Sequence, residues 1–279
     1  MDVVDPADAW LNELAADLPL HAEVLRRLQR EGAQEERIVQ VSVGCSIGRG
    51  TADALSDLDC EISLDDAAWP DGLALIDPLV HRCGEVVELL HHRLAGVDGE
   101  HRRSAVQFAS GVQLDLMVWP VSVWSGMRPP DAVVLYARRP VFTTEWDPTR
   151  ANPTETQVQE WCFLGWWALL DAAKYLRRGS PWEARQRLDV ARDSVFRLLA
   201  AAHGVPFAEY GITALVDAGI TLPGELGETA VNASEDRLVE AVCACSDLLA
   251  STWAACGRAP TAMAEWTCQR LRRQLGASR

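Results

Sequence analysis

Gly44-Cys45-Ser46-Ile47-Gly48-Arg49-Gly50-Thr51-Ala52-Asp53-Ala54-Leu55-Ser56-Asp57-Leu58-Asp59 decides how this chain is read. It follows Ile38-Val-Gln-Val-Ser-Val43, an alternating, β-branched run that predicts a strand. It leads into Leu58-Asp-Cys-Glu-Ile-Ser-Leu64, which predicts a second. Between them lies a loop of small residues carrying Arg49. Strand side chains alternate, so Asp57 and Asp59 share a face and stand ~6–7 Å apart along the strand. Converging carboxylates can chelate one or two Mg²⁺, a hard ion that prefers oxygen and leaves positions for phosphates. The loop's N–H groups, the Ser46 hydroxyl and Arg49 suit a triphosphate. Asp-x-Asp at a strand start is also a common solvated edge, and a glycine-rich loop alone is a weak signal.

A third carboxylate raises the odds. Asp115 interrupts Val112-Gln-Leu-Asp-Leu-Met-Val-Trp119, an otherwise apolar strand that Ser110-Gly111 joins by a tight turn to Ala105-Val-Gln-Phe-Ala109. An ionised carboxylate is costly to bury unpaired, so a metal is one partner for it. A salt bridge or an exposed strand face is the other reading.

Cys45-Ser-Ile-Gly-Arg-Gly-Thr-Ala-Asp-x-x-Ser-Asp-Leu-Asp59 resembles the signature of the DNA polymerase β-type nucleotidyltransferase superfamily, and Asp115 matches its third acid. In size the chain is closest to the minimal and the antibiotic (aminoglycoside-type) members. Two residues depart from the pattern: Cys45 stands where the family has glycine, and Gly48 where alanine is usual. The resemblance implies an α+β fold, with a mixed-sheet catalytic domain over 1–148 and an α-helical bundle over 149–279. It implies that Asp57, Asp59 and Asp115 are catalytic and hold two Mg²⁺. Ser46, Arg49, Ser56, Lys174 and Tyr175 would bind the nucleotide. The reaction is transfer of a nucleoside monophosphate, AMP from ATP, onto the hydroxyl of a small molecule, with pyrophosphate leaving. Asp115 and Glu61 are both candidates for the general base. Two other readings stay open: an enzyme modifying tRNA or a protein in toxin–antitoxin fashion, and a non-catalytic nucleotide-binding scaffold.

Charge bounds the partners. The net charge is -14, and residues 1–150 carry 25 acidic against 13 basic residues. Such a surface is not built to coat nucleic acid or an anionic membrane, but it would attract a cationic acceptor such as an aminoglycoside. No run reaches the ~18 apolar residues of a membrane span; the nearest, Trp161 to Ala173, is broken by Asp171. The acidic start lacks the pattern of a signal peptide. The eight cysteines have neither CxxC nor zinc spacing, so they read as reduced core residues of a cytoplasmic protein.

Outside the strands the pattern is helical. A helix is expected over Leu11–Arg30, kinked at Pro19 and ending at Gly32, with another over Leu73–Cys83. Ala132–Tyr136 reads as a strand or a helix end. Past a polar, proline-containing stretch at 146–154, helices are predicted over Glu155–Arg178, from a capping box at Ser180-Pro-Trp-Glu183 to about His203, and over 210–218, 234–254 and 261–275. Lys174 is the sole lysine and shares a helix face with Arg178. Arg185 and Arg192 flank Asp189 and read equally as intrahelical ion pairs. The tryptophans of 161–167 read as core, and His91-His92 as surface. A homodimer is compatible with the sequence.

Overall fold

The computed structural model describes residues 6–275 apart from 70, 97–98, 124–125 and 232–233; at 93–96, 99–101, 123, 148, 235 and 236 only the backbone is described. The chain divides into two compact units, Met1–Trp146 and Asp147–Arg279. The first is α+β and the second is helical.

Unit one opens with α1 (Pro6–Asp17) and α2 (Pro19–Gln34). These are two helices rather than one kinked helix. Leu18 leaves helical geometry at φ -127°, and Pro19, which has no N–H to give, starts α2. Gly32 does not end α2 either. A Cβ there would lie 2.5 Å from Val41 Cγ2, so the glycine lets the helix close on the sheet.

The sheet contains β1 (Ile38–Val43), β2 (Leu58–Leu64), β3 (Val86–Gly96), β4 (Gly99–Phe108), β5 (Gln113–Pro120) and β6 (Val133–Ala137). Their order is β3-β4-β5-β2-β1-β6. Only β2 and β5 run parallel; the other pairs are antiparallel. A parallel pair needs a crossover. Here α3 (Cys45–Arg49) precedes β2, while α4 (Ile76–Cys83) and the β3–β4 hairpin lie between β2 and β5.

Alternation splits the sheet into two faces. Val41 and Val43, Cys60, Ile62 and Leu64, and Leu114, Leu116 and Val118 form one core with Leu25 and Leu28 of α2 and with Ile76, Leu79 and Val80 of α4. At ~25 cal/mol per Å² of apolar area, this face dominates the stability of the unit. The opposite face carries Gln40, Ser42, Asp59, Glu61, Ser63 and Asp115. The sequence therefore sorts apolar residues to the helix side and leaves the chemistry on the other.

Two strand-region expectations change. β3 carries no strict alternation and was not expected as a strand. His91, in β3, is not a plain surface residue: Nδ1 pairs with Ser104 Oγ at 2.9 Å and Nε2 lies 3.0 Å from Asp77. Arg102 donates to Asp77 at 2.6 Å and to the Leu73 carbonyl at 3.2 Å. Burial raises the Asp77 carboxyl, but His91 and Arg102 outweigh it and hold the group below its usual range. The network ties β3 and β4 to α4.

Unit two contains α5 (Glu155–Arg177), α6 (Pro181–Ala202), α7 (Ile212–Asp217), α8 (Leu226–Thr229), α9 (Glu235–Ala255) and α10 (Ala262–Leu275). Trp166, Leu169, Leu188, Val195, Leu198, Val242 and Leu249 share its core. Gly165 brings α5 close to its neighbours, since a Cβ there would meet Ser194 at 3.0 Å and Leu249 at 3.1 Å. The expected capping box at Ser180 is not formed. Ser180 Oγ turns to Glu183 without reaching a backbone N–H. A reciprocal box forms one helix earlier: Thr154 Oγ1 accepts from Gln157 N at 3.2 Å, and Gln157 Oε1 accepts from Thr154 N at 2.8 Å. Residues 237–255 of α9 are long and apolar enough to cross a membrane despite Glu240 and Asp247, but 56% of that segment is buried within the protein. Trp161 and Trp166 are core residues, whereas Trp167 is exposed and stacks near Phe163, with ring centroids 5.6 Å apart. None of the eight cysteines is in a disulfide.

Candidate active site

Asp59 of β2 and Asp115 of β5 are register partners. Neighbouring strands lie ~4.8 Å apart, so these carboxylates leave the sheet side by side on its polar face. Asp57 sits one residue before β2, exposed, beside them. Glu61 is the next residue of β2 on the same face, opposite Ser42 of β1 and Met117 of β5.

Crowding is visible in the electrostatics. The Asp59 carboxyl is raised by burial, then by the charge of Asp57 and of Asp115, while a Cys45 hydrogen bond and Arg103 offset part of this. Burial, with Asp131 and Asp59, raises Glu61 to about 7. Among the described residues, Glu61 has no cationic partner. Asp115 has one: Arg103 Nε lies 2.8 and 2.9 Å from its two oxygens, and Nη2 closes a bidentate pair. The salt-bridge reading of Asp115 therefore holds in this state.

The loop is more ordered than a small-residue turn. Cys45–Arg49 form α3, and Gly50 at φ 70° ends it in the left-handed region. Cys45 itself has φ 53°. A non-glycine residue pays for that conformation, which explains why glycine suits the position. The Cys45 thiol, solvent-accessible yet lodged beside two acids, is pushed up to about 12 by partial burial, then by Asp59, then by Asp131. It stays protonated and donates to Asp59. Cys45→Gly is expected to stabilise the fold by about 1 kcal/mol, measured by urea unfolding; an unchanged or lower midpoint would contradict a strained backbone.

Gly48 also has a structural cause. A Cβ there would sit 1.9 Å from the Asp131 carbonyl oxygen. Backbone cannot yield as a side chain does, so alanine is excluded at this position in this chain. Gly48→Ala is expected to cost at least ~2 kcal/mol and to displace Asp131, read as a lower unfolding midpoint. A neutral effect would mean the 131 segment moves freely.

Asp131 is the residue that sequence reading missed. It lies just before β6, and its side chain accepts from Arg49 at 3.0 Å. Arg49 is therefore held by a carboxylate and is not simply presented to a phosphate. Nothing local in the sequence marks Asp131, because only the β1–β6 pairing brings it in. Arg103 was also missed, although the hairpin register from Ser110-Gly111 puts it on the face of Asp115.

The remaining nucleotide candidates belong to different elements. The Ser46 hydroxyl has no partner among the described residues. Ser56 is committed to its own turn: its Oγ accepts from Asp53 N at 3.0 Å, and its carbonyl meets buried His21 at 2.8 Å. Lys174 belongs to α5 in unit two, where it pairs with Asp171 at 2.5 Å and lies 4.7 Å from the ring of Tyr175. Tyr175 packs partly against that unit's core. Arg185 and Arg192 both bind Asp189, at 3.2 and 2.8 Å, as intrahelical pairs.

The donor set is compatible with a hard divalent ion, being oxygen-only and self-repelling. Asp57 and Asp59 are the two carboxylates open to one. Asp115 would first have to exchange Arg103 for it. Among the described residues no group of three donors is already poised around a metal.

No family model matches the chain, and no curated protein matches it in sequence. Among solved structures it is similar to an aminoglycoside 6-adenyltransferase from Bacillus subtilis, at 13% identity and TM-score 0.42, covering 92% of this chain and 99% of that one. It is also similar to a nucleotidyltransferase-like protein from Exiguobacterium sibiricum 255-15, at 16% identity and TM-score 0.40, covering 90% and 87%.

Proposed function

We propose that this protein is a nucleotidyltransferase that moves a nucleoside monophosphate, AMP from ATP, onto the hydroxyl of a small molecule and releases pyrophosphate. The observation that carries this reading is the side-by-side placement of Asp59 and Asp115, with Asp57 and Glu61 flanking Asp59 and Glu61 lacking a counter-ion among the described residues.

Asp57 and Asp59 would hold Mg²⁺, with Asp115 joining them. Bound there, the ion supplies Lewis-acid stabilisation of the oxygens around the reacting phosphorus. Glu61 is the better of the two base candidates. Asp115 is neutralised by Arg103, whereas Glu61 sits near 7 and can take a proton from an acceptor hydroxyl at neutral pH. The proton passes to Glu61 as the hydroxyl oxygen bonds to the α-phosphorus, and pyrophosphate carries away the bonding pair of the broken P–O bond. Arg103 is paired with Asp115 here; released when Asp115 turns to the ion, it would place positive charge beside an anionic substrate. The acidic first half favours a cationic acceptor, for which an aminoglycoside is the first test case.

The test is incubation with Mg²⁺, each of the four NTPs and a panel of aminoglycosides and other polyhydroxylated amines, with product masses recorded. A mass gain of one nucleoside monophosphate with release of pyrophosphate supports the reading. Labelled tRNA or labelled protein in place of a small product would redirect it to a macromolecular acceptor. No adduct on any acceptor would count against transfer.

A further inference from the structure

A groove of about 650 Å³ lies along β6 in unit one, with Gln40, Arg128, Val134, Phe142, Glu145 and Trp146 among its walls. Its floor is unusual. Gln40 is 3% exposed, yet its side-chain amide has no hydrogen-bond partner among the described residues. Ser42 and Ser63, on the same face at 2% and 4% exposure, are also without side-chain partners there. The Gln40 amide's polar atoms are not sealed off from solvent, so a ligand entering the groove can meet their unused donors and acceptor. Here the amide faces a cavity.

The position of the groove connects it to the carboxylates. Gln40, Ser42 and Glu61 follow one another across one face by the β1–β2 register. Gln40 is four residues before Gly44, or ~13 Å along a strand. Pro129 and Pro130 of the groove wall run directly into Asp131, which abuts Gly48 and binds Arg49. The groove thus adjoins the loop and lies within the reach of a nucleotide whose phosphates sit there.

Its chemistry selects among ligands. Phe142, Trp146 and Val134 supply flat and apolar walls. The Arg128 guanidinium is spent on the Ala132 carbonyl, at 3.0 and 2.7 Å. Arg128 and Glu145 balance in charge, so the groove does not favour a polycation. A carboxamide offers one donor and one acceptor side by side, which complements the adjacent amino group and ring nitrogen of adenine. Aromatic walls stack on a base of any kind.

We infer that this groove is a nucleobase subsite and that the Gln40 amide is the residue that selects adenine. The inference rests on the proposed use of an NTP but concerns a different part of the molecule from the carboxylates.

The test uses nucleosides, which carry no phosphate and need no metal. Adenosine, guanosine, cytidine and uridine are titrated against the full chain by calorimetry and by tryptophan fluorescence, with Trp146→Phe identifying the local signal. Adenosine is expected to bind most tightly and to quench Trp146. Gln40→Leu, of similar size, is expected to weaken adenosine by about tenfold or more with the other nucleosides little changed. Asp59→Asn protein is expected to bind adenosine as the wild type does. Equal binding of all four nucleosides, equal adenosine affinity in Gln40→Leu, or a quench that survives in Trp146→Phe would each overturn the inference. If Gln40→Leu does not fold, the Trp146→Phe comparison decides alone. Adenosine binding without nucleotidyl transfer would remove the proposed activity and leave this subsite standing; transfer without adenosine selectivity would do the reverse.

Discussion

Asp59→Asn is expected to lower turnover by about 10²–10³-fold or more while the chain folds as before or more tightly. The two effects share one cause. Asp59 stands among Asp57 and Asp115 and is partly buried, so its carboxyl is raised. A carboxyl raised on folding makes the folded state lose stability as pH climbs from the unfolded value through the folded one, and the loss persists above it. At neutral pH that penalty is present, and the neutral amide removes it. The wild type should therefore gain thermal stability when Mg²⁺ is added, because the ion binds the folded state. Asp59→Asn should begin higher and gain less. Circular dichroism, melting with and without Mg²⁺, and turnover together check this. Retained turnover would remove Asp59 from the chemistry, and a collapsed spectrum would make it a folding residue instead.

Glu61→Gln carries the second large effect, and pH separates its two parts. The folded carboxyl sits at about 7, against an ordinary value of 4.5. Below about pH 4.5 the group is protonated in both states and contributes no difference. Between 4.5 and 7 the unfolded chain ionises first, so folding stability falls as pH rises. Above 7 the full penalty stands, up to about 3 kcal/mol. Glu61→Gln should therefore match the wild type at pH 4 and exceed it in unfolding free energy at pH 8. Catalysis should move oppositely. The wild-type rate should rise with pH through about 7, and Glu61→Gln should be slower by about 10²-fold or more at pH 8, with that rise abolished. A wild-type rate flat from pH 6 to 8, or a variant that keeps the rise, would return the base to Asp115.

What could be read from the sequence divides along lines of locality. The strands at Ile38–Val43 and Leu58–Leu64 and the long helices of unit two follow from periodicity. The placement of Asp59 and Asp115 on one face needed only alternation and a parallel register. β3 was hidden because it lacks strict alternation and is interrupted by the polar stretch His91-His92-Arg93. α3 was hidden by three glycines within Gly44–Gly50, which read as a loop; Gly48 is in fact required by the close Asp131 backbone, and Gly50 ends the turn. The Arg49–Asp131 pair spans 82 residues of chain, and no local pattern announces it. Gln40 looked like one polar residue in a strand. Its meaning appears only once β6 and the 140–146 segment are seen to wall the space before it.

The most direct measurement is calorimetric titration of the wild type and of an Asp57→Asn/Asp59→Asn double variant with a non-hydrolysable ATP analogue, with and without Mg²⁺. Tight binding that depends on Mg²⁺ in the wild type, reduced to the metal-free level in the double variant, is the predicted result. Equal binding by both proteins, with no influence of Mg²⁺ on either, would contradict a metal–nucleotide site at these carboxylates.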